Sequence, residues 1–265
     1  MTKKFTIQVG VFVFFIVFLL VSLVSLYKYI NKTPDYFYAK VLVKKATKDN
    51  PYPDFNYTKL IKKGDKIKDF MGNTEIEVLS ARYYYNNSEG DLNTYKIFLY
   101  LKIKKDNNKQ TDFIYNKTKI KVGKIVDLDF DKVKVVGEVL KIDNKPIKEQ
   151  YVERIISLWR YEGQSQSNPN TFENIKIGES CFDGEDKVFV VLSKELVDLQ
   201  MTGANASYFY QRGNMKHILI TAKVKLLEEG NLLFFPDGQP VRFRQGLNIF
   251  TDHNLFDWYL VVGIE

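Results

Sequence analysis

One short turn is spelled twice along the chain, as IKKGD at 61–65 and, 114 positions later, as IKIGE at 175–179. Shifting the sequence by that offset also lays YAKVLVKK (38–45) over VERIISLW (152–159), with no gap between the strand-like run and the turn. Farther on, IFLYLKIK (97–104) lies over ILITAKVK (218–225), and KIKVG (119–123) over RFRQG (242–246). Residues 37–142 and 151–265 therefore read as two copies of one unit, the second carrying a longer excursion near LQMTGANASYFYQRG (199–213). A chain built this way folds into two similar domains, each needing its own core.

Inside each copy a finer period is visible, because four stretches share the order apolar, basic, any residue, glycine, ending at Gly64, Gly123, Gly178 and Gly246. Glycine there supplies the positive φ of a tight turn between strands. Period-two alternation of β-branched and aromatic residues, as at Val41, Val43, Ile76, Val78, Val133, Val135, Val188, Val190 and Val261, predicts strands on both sides of each turn. The best helical candidate, 147–160, aligns with a strand-like segment, so its second half is expected to be strand. Asn144 and Pro146 break the pattern between the copies. The expected fold is all-β: residues 1–30 form a short stub and anchor, 31–142 a first small β-barrel or sandwich-like domain, 143–150 a linker, and 151–265 a second such domain.

The run from Phe5 to Tyr27 carries no charged residue and is long enough, at one residue per 1.5 Å, to cross a bilayer as a helix. A signal peptide has a shorter apolar core followed by small residues, whereas this run continues into Tyr27, Lys28 and Tyr29. The expectation is an uncleaved, single-pass transmembrane helix in the cell membrane. Lys3 and Lys4 precede the run while Lys28, Lys32 and Lys40 follow it, so the charge rule is nearly balanced. A short N-terminal stub before a large domain favours an extracytoplasmic bulk. Sequons stand at Asn31, Asn56, Asn86, Asn116 and Asn205.

The formal charge is +7, with 33 Lys against 6 Arg. Lysines alternate with apolar residues, as in Lys119-Ile120-Lys121-Val122 and Lys132-Val133-Lys134-Val135, which marks the wet face of a half-buried strand. The Arg-rich and aromatic signatures of nucleic-acid sites are missing, so no nucleic-acid partner is expected. Cys181 is the one cysteine, which excludes an intrachain disulfide and a cysteine zinc cluster.

Catalytic chemistry finds little purchase. Asp65 and Glu179 are exposed acids of the repeated turn, but equivalent positions of a tandem repeat face the same way on separate units. The two histidines, His217 and His253, lie in strand-like stretches close to the C-terminus, and a sortase-like trio of Cys181, His217 and Arg212 or Arg242 lacks the motif that such a cysteine carries. Asp127, Asp129 and Asp131 share one strand face, where they read as a solvated stripe beside Lys124 and Lys132 rather than a Ca²⁺ site. No Gly-rich phosphate loop, HExxH or paired Cys/His spacing occurs. No catalytic residue, cofactor site or metal site is assigned, and an enzymatic role is not expected.

An N-terminal apolar segment, a following strand, then I-x-x-GD with a second glycine soon after (Gly72 and Gly184) resembles the bacterial envelope family of unknown function catalogued as DUF 4330. The C-terminal half of each unit is similar too: an ILITAKVK-type strand, the apolar GNLLFF (230–235), then VRFRQG and the pair Phe250-Thr251. The resemblance implies an extracytoplasmic β protein and carries over no catalytic residues. The function expected is an envelope scaffold or adaptor that binds a protein or polymer partner. The rivals are an envelope hydrolase or transferase acting on wall polymers, and a ligand-binding module with an aromatic groove using Trp159, Tyr208, Tyr210 or Trp258. Neither the partner nor the oligomeric state is legible.

Overall fold

The computed structural model describes residues 16–25, 35–45, 52–86, 94–106, 113–115, 118–161, 171–197, 217–251 and 255–265. They divide into two compact units, Met1–Tyr36 and Phe37–Glu265. In the first, a helix, α1, covers 16–25. At 1.5 Å per residue the described stretch spans about 15 Å. No helix among the described residues is long and apolar enough to cross a membrane, which corrects the expected transmembrane helix. The other residues of the run at 5–27 lie outside the described residues.

The second unit holds two large antiparallel sheets and one two-stranded sheet among its described residues. Its first half runs β1 (Tyr36–Lys44), α2 (Phe55–Leu60), β2 (Lys66–Lys68), β3 (Thr74–Asn86), β4 (Thr94–Lys104), the short pair β5 (Ile114–Tyr115) and β6 (Thr118–Lys119), β7 (Ile125–Phe130) and β8 (Val133–Asp143). Its second half runs β9 (Tyr151–Tyr161), α3 (Thr171–Asn174), β10 (Ser180–Phe182), β11 (Lys187–Val197), β12 (His217–Glu229), β13 (Leu232–Phe234), β14 (Gly246–Phe250) and β15 (Leu255–Ile264). The strand orders, β2-β3-β4-β1-β8-β7 and β10-β11-β12-β9-β15-β14, are the same order written twice. Each sheet curls until its ends nearly meet: β2 touches β7, and the Thr251 hydroxyl, just past β14, donates to the Glu179 carboxylate beside β10. The all-β architecture of two barrel-like sheets is thus the one the alternating pattern predicts. On β4, Ile97, Leu99, Leu101 and Ile103 point into the first barrel's core, as period two requires.

All four turns close in one way. Gly64 N–H donates to Val78 O at 2.8 Å, Val78 N–H returns a bond to Asp65 O at 2.9 Å, and Leu79 is then skipped by the ladder as a β-bulge. The same exchange joins Gly178 and Glu179 to Val191 before the bulge at Leu192, and Gly123 and Lys124 to Val139 before the bulge at Leu140. In the fourth turn Arg244 N–H donates to Val261 O at 2.7 Å and Val261 N–H returns to Gln245 O at 3.0 Å. Arg244, not Gly246, is the counterpart of Gly123, and it takes the left-handed φ of 62°. The sequence alignment of KIKVG with RFRQG is therefore two residues out, because a match on glycine overrode the spacing to Val261.

A second correction concerns β1 and β9. Val41 pairs with Val139 and Leu158 with Val261, so Val41 corresponds to Leu158, an offset of 117 rather than 114. The three-residue difference is odd, and an odd slip exchanges the two faces of a strand. It would place Glu153 and Ile155, which is 40% exposed, where Ala39 and Val41 are buried.

Arg244 is also the one described non-glycine residue with positive φ. A left-handed L-residue costs about 1–2 kcal/mol, part of which glycine's extra chain entropy takes back. Arg244→Gly is expected to stabilise the protein by about 0.5–1 kcal/mol, read as a rise in the urea midpoint at unchanged slope. A lower midpoint would mean that the stacking of Arg244 on Phe243 outweighs the strain.

Candidate functional site

On β3 and β4 the residues that point outward from the first barrel include Arg82, Tyr84, Phe98 and Tyr100, an aromatic set unlike the lysine-studded face of a solvated strand. The second barrel covers them. Leu42, Tyr84 and Phe98 join its apolar cluster, Tyr84 meets Phe235 with ring centroids 6.3 Å apart, and Tyr85 stacks on Phe250 at 4.7 Å.

The polar part of this seam is built by the hairpin between β10 and β11. Asp183, fully buried, accepts on Oδ1 from the N–H groups of Glu185 (3.0 Å) and Asp186 (2.8 Å), which shapes the tip. Its Oδ2 accepts from Arg82 Nη1 at 2.5 Å and from the Tyr84 hydroxyl at 2.7 Å. Arg82 Nη2 reaches Glu185 Oε2 at 3.1 Å and Asp186 Oδ2 at 3.0 Å. Gly184 sits between the barrels with φ +103°, and a Cβ there would lie 2.7 Å from the Ala81 carbonyl oxygen. The approach is that close because Tyr83 N–H donates to Asp183 O at 2.8 Å.

A second node lies on the connector between the barrels. Glu149 accepts from Lys40 Nζ (2.5 Å), Tyr100 (2.5 Å) and Tyr151 (2.6 Å). Burial opposes its charge, but the Lys40 ammonium and these three donors outweigh burial and hold the carboxyl below the ordinary range. Burial likewise opposes the Arg82 charge, and Asp183 overrides it, raising the guanidinium further. Tyr100 is pushed up by burial and then by Glu149. The Lys225 hydrogen bond, against some burial, lowers Asp186. Between the two nodes lies a cavity of about 300 Å³, bordered by Tyr38, Ser80, Arg82, Tyr100, Tyr151 and Glu185.

The residues singled out from sequence fall elsewhere. Cys181 is buried on β10 at the level of Val224, by way of Phe189, whereas His217 begins β12, seven residues away along that strand. At 3.3 Å per residue they are roughly 23 Å apart, so the imagined trio is not assembled. Arg242 lies in the fourth turn, and Arg212, His253, Tyr208 and Tyr210 are outside the described residues. Trp159 is 9% exposed and stacks on His217, and Trp258 lies on β15. Glu179 is 6% exposed, correcting its reading as an exposed acid: it accepts from Lys176 N–H, as Asp65 does from Lys62 N–H, so both carboxylates lock their own turns. Asp127 and Asp129 stand exposed on β7. Among the described residues no group of His, Cys, Asp and Glu is placed to hold a metal.

Sequence reasoning did not find Arg82, Glu149 and Asp183, and it marked Gly184 only as a turn glycine. Scarcity was the available signal, since Arg82 is the one arginine of the first copy and stands beside three tyrosines, and DGED is the most acidic tetrad of the second. No family model, curated protein or solved structure matches the chain. The likeness to DUF 4330 proteins therefore rests on the turn and strand motifs alone.

Proposed function

We propose that this chain is a non-catalytic scaffold or adaptor of the bacterial envelope that presents one hairpin tip of its first barrel to a protein partner. The observation behind this reading is that the same hairpin occurs twice with different fates. Asp69 Oδ1 accepts from the N–H groups of Met71 (2.9 Å) and Asn73 (2.8 Å), as Asp183 does from Glu185 and Asp186. Each tip also holds one glycine of positive φ, Gly72 at +85° three residues after Asp69 and Gly184 at +103° directly after Asp183. In the second barrel this tip is docked on β3. In the first it stands clear, with Phe70 97% and Met71 73% exposed.

An exposed aromatic at the end of a rigid hairpin has the character of an interface anchor, burying much area at little entropic cost. By analogy with Asp183 on Arg82, the partner surface is one with an apolar pocket for Phe70 beside a cation for Asp69. The resemblance to an envelope family supports the location, and the separation of Cys181 from His217 supports a role without turnover.

A photo-activated cross-linker placed at position 70 in native cells is expected to capture a defined partner, and the double change Phe70→Asp, Met71→Asp to lower its co-purification at least about tenfold. Because both side chains are solvated, thermal stability should stay within about 0.5 kcal/mol. Undiminished co-purification, or a hydrolytic turnover abolished by Cys181→Ala, would overturn the adaptor reading.

A further inference from the structure

We infer that the cavity between the barrels is a binding site for a small organic ammonium ion carried on an apolar or aromatic body. This inference concerns a different surface from the Phe70 hairpin and stands or falls without it.

The first reason is two stranded polar atoms. Ser80 Oγ and Glu185 Oε1 are both buried and both have no hydrogen-bond partner among the described residues, and both residues border the cavity. A buried carboxylate oxygen lacking a donor is costly. Its partner oxygen already takes Arg82 at 3.1 Å, so the free one asks for an N–H or O–H from something that occupies the space. Ser80 follows the bulged Leu79 on β3, itself part of the cavity wall, and a bulge is the device by which a strand re-aims a side chain.

Charge selects among donors. Around the cavity three cations, Lys40, Arg82 and Lys225, face four carboxylates, Glu149, Asp183, Glu185 and Asp186. The formal balance is one positive charge short of neutral, and Glu149 is saturated by its three donors while Glu185 is not. One ammonium donating to Glu185 Oε1 and Ser80 Oγ completes both the hydrogen bonding and the charge. The rest of the wall suits an apolar body, with Tyr38, Tyr100, Pro146, Ile147 and Tyr151 bordering the space. A volume of about 300 Å³ admits a molecule of modest size, at the small end of ligand pockets. An anionic ligand would add to the excess charge, and a neutral polyol would leave it uncompensated.

The probes are 2-phenylethylamine and its neutral counterpart 2-phenylethanol, titrated into the full chain by calorimetry and by ligand-observed magnetic resonance. The amine is expected to bind saturably and at least about tenfold more tightly than the alcohol, as a charge-assisted hydrogen bond predicts. Glu185→Gln should weaken the amine at least about tenfold, and Ser80→Ala about threefold, while the alcohol changes little in either. Thermal unfolding reports whether each variant is folded. Ser80→Ala removes none of the seam's ion pairs, so it remains informative if Glu185→Gln loosens the barrels. Equal binding of amine and alcohol, no saturable amine binding, or amine affinity unchanged in Ser80→Ala together with folded Glu185→Gln would each overturn the inference.

Discussion

Arg82→Ala is expected to destabilise the protein by about 3–5 kcal/mol, the usual cost of breaking a buried ion pair from one side. The guanidinium is 11% exposed and the Asp183 side chain not at all, so truncation leaves a carboxylate sealed in the seam with only Tyr84 and two backbone N–H groups to hold it. Two further acids, Glu185 and Asp186, lose the same cation. Most of the cost lies in the stranded charge rather than in the lost contact. Arg82→Ala combined with Asp183→Ala should accordingly cost less than the sum of the two single changes. Chemical denaturation measures all three, and a loss below about 1 kcal/mol for Arg82→Ala would show that water or a side-chain shift satisfies Asp183 without it.

Gly184→Ala is the second large effect, expected at about 2–6 kcal/mol from two additive sources. Its φ of +103° is a backbone conformation that an L-residue adopts only under strain, and the new Cβ would meet the Ala81 carbonyl oxygen at 2.7 Å and Tyr83 Cε1 at 2.8 Å. The tyrosine ring can rotate away, but the carbonyl belongs to the β3 ladder and cannot. Relief must come from moving the hairpin off β3, which breaks the Tyr83 to Asp183 backbone bond and pulls Asp183 from Arg82. The barrels then separate rather than unfold, so limited proteolysis in the 143–150 connector should accelerate while the strand signal in far-ultraviolet circular dichroism persists. Gly72→Ala, at the matching tip with nothing within 4 Å of the new Cβ, is the control and carries only the strain. If the two changes cost the same, the tight approach of the barrels contributes nothing.

IKKGD and IKIGE announce the same turn, and the structure gives them φ values of +90° and +85° and the same pair of hydrogen bonds, to Val78 and Val191. That outcome is local: a handful of consecutive residues and one facing valine determine it. The fourth turn was misplaced because Arg244 adopts the left-handed conformation without being glycine, its position imposed by the spacing to Val261 on the neighbouring strand. The β1 and β9 register failed for a related reason. A gapless match of apolar letters does not distinguish an even from an odd slip when both faces of the strand carry aliphatic residues, as Leu42 and Val43 do.

The seam was illegible for another physical reason. Arg82 and Asp183 are 101 positions apart and Lys40 and Glu149 109 apart, and nothing in the composition of either stretch selects its partner across such distances. The apolar run at 5–27 is a different case, since hydropathy measures what a segment would tolerate as a helix, and no helix among the described residues is long and apolar enough to cross a membrane.

By itself, then, the sequence determined what alternation and turn chemistry determine: strands rather than helices, two copies rather than one, and glycine where a turn needs positive φ at Gly64 and Gly178. Only the tertiary structure decided which outward faces become an interior. It turned Arg82, Tyr84, Phe98 and Tyr100 from surface residues into a seam, locked Glu149 between Lys40 and two tyrosines, and left a cavity with Ser80 and Glu185 unsatisfied. Burial of that kind comes from the docking of one barrel on another, which depends on the relative placement of whole sheets and is written in no local stretch of the chain.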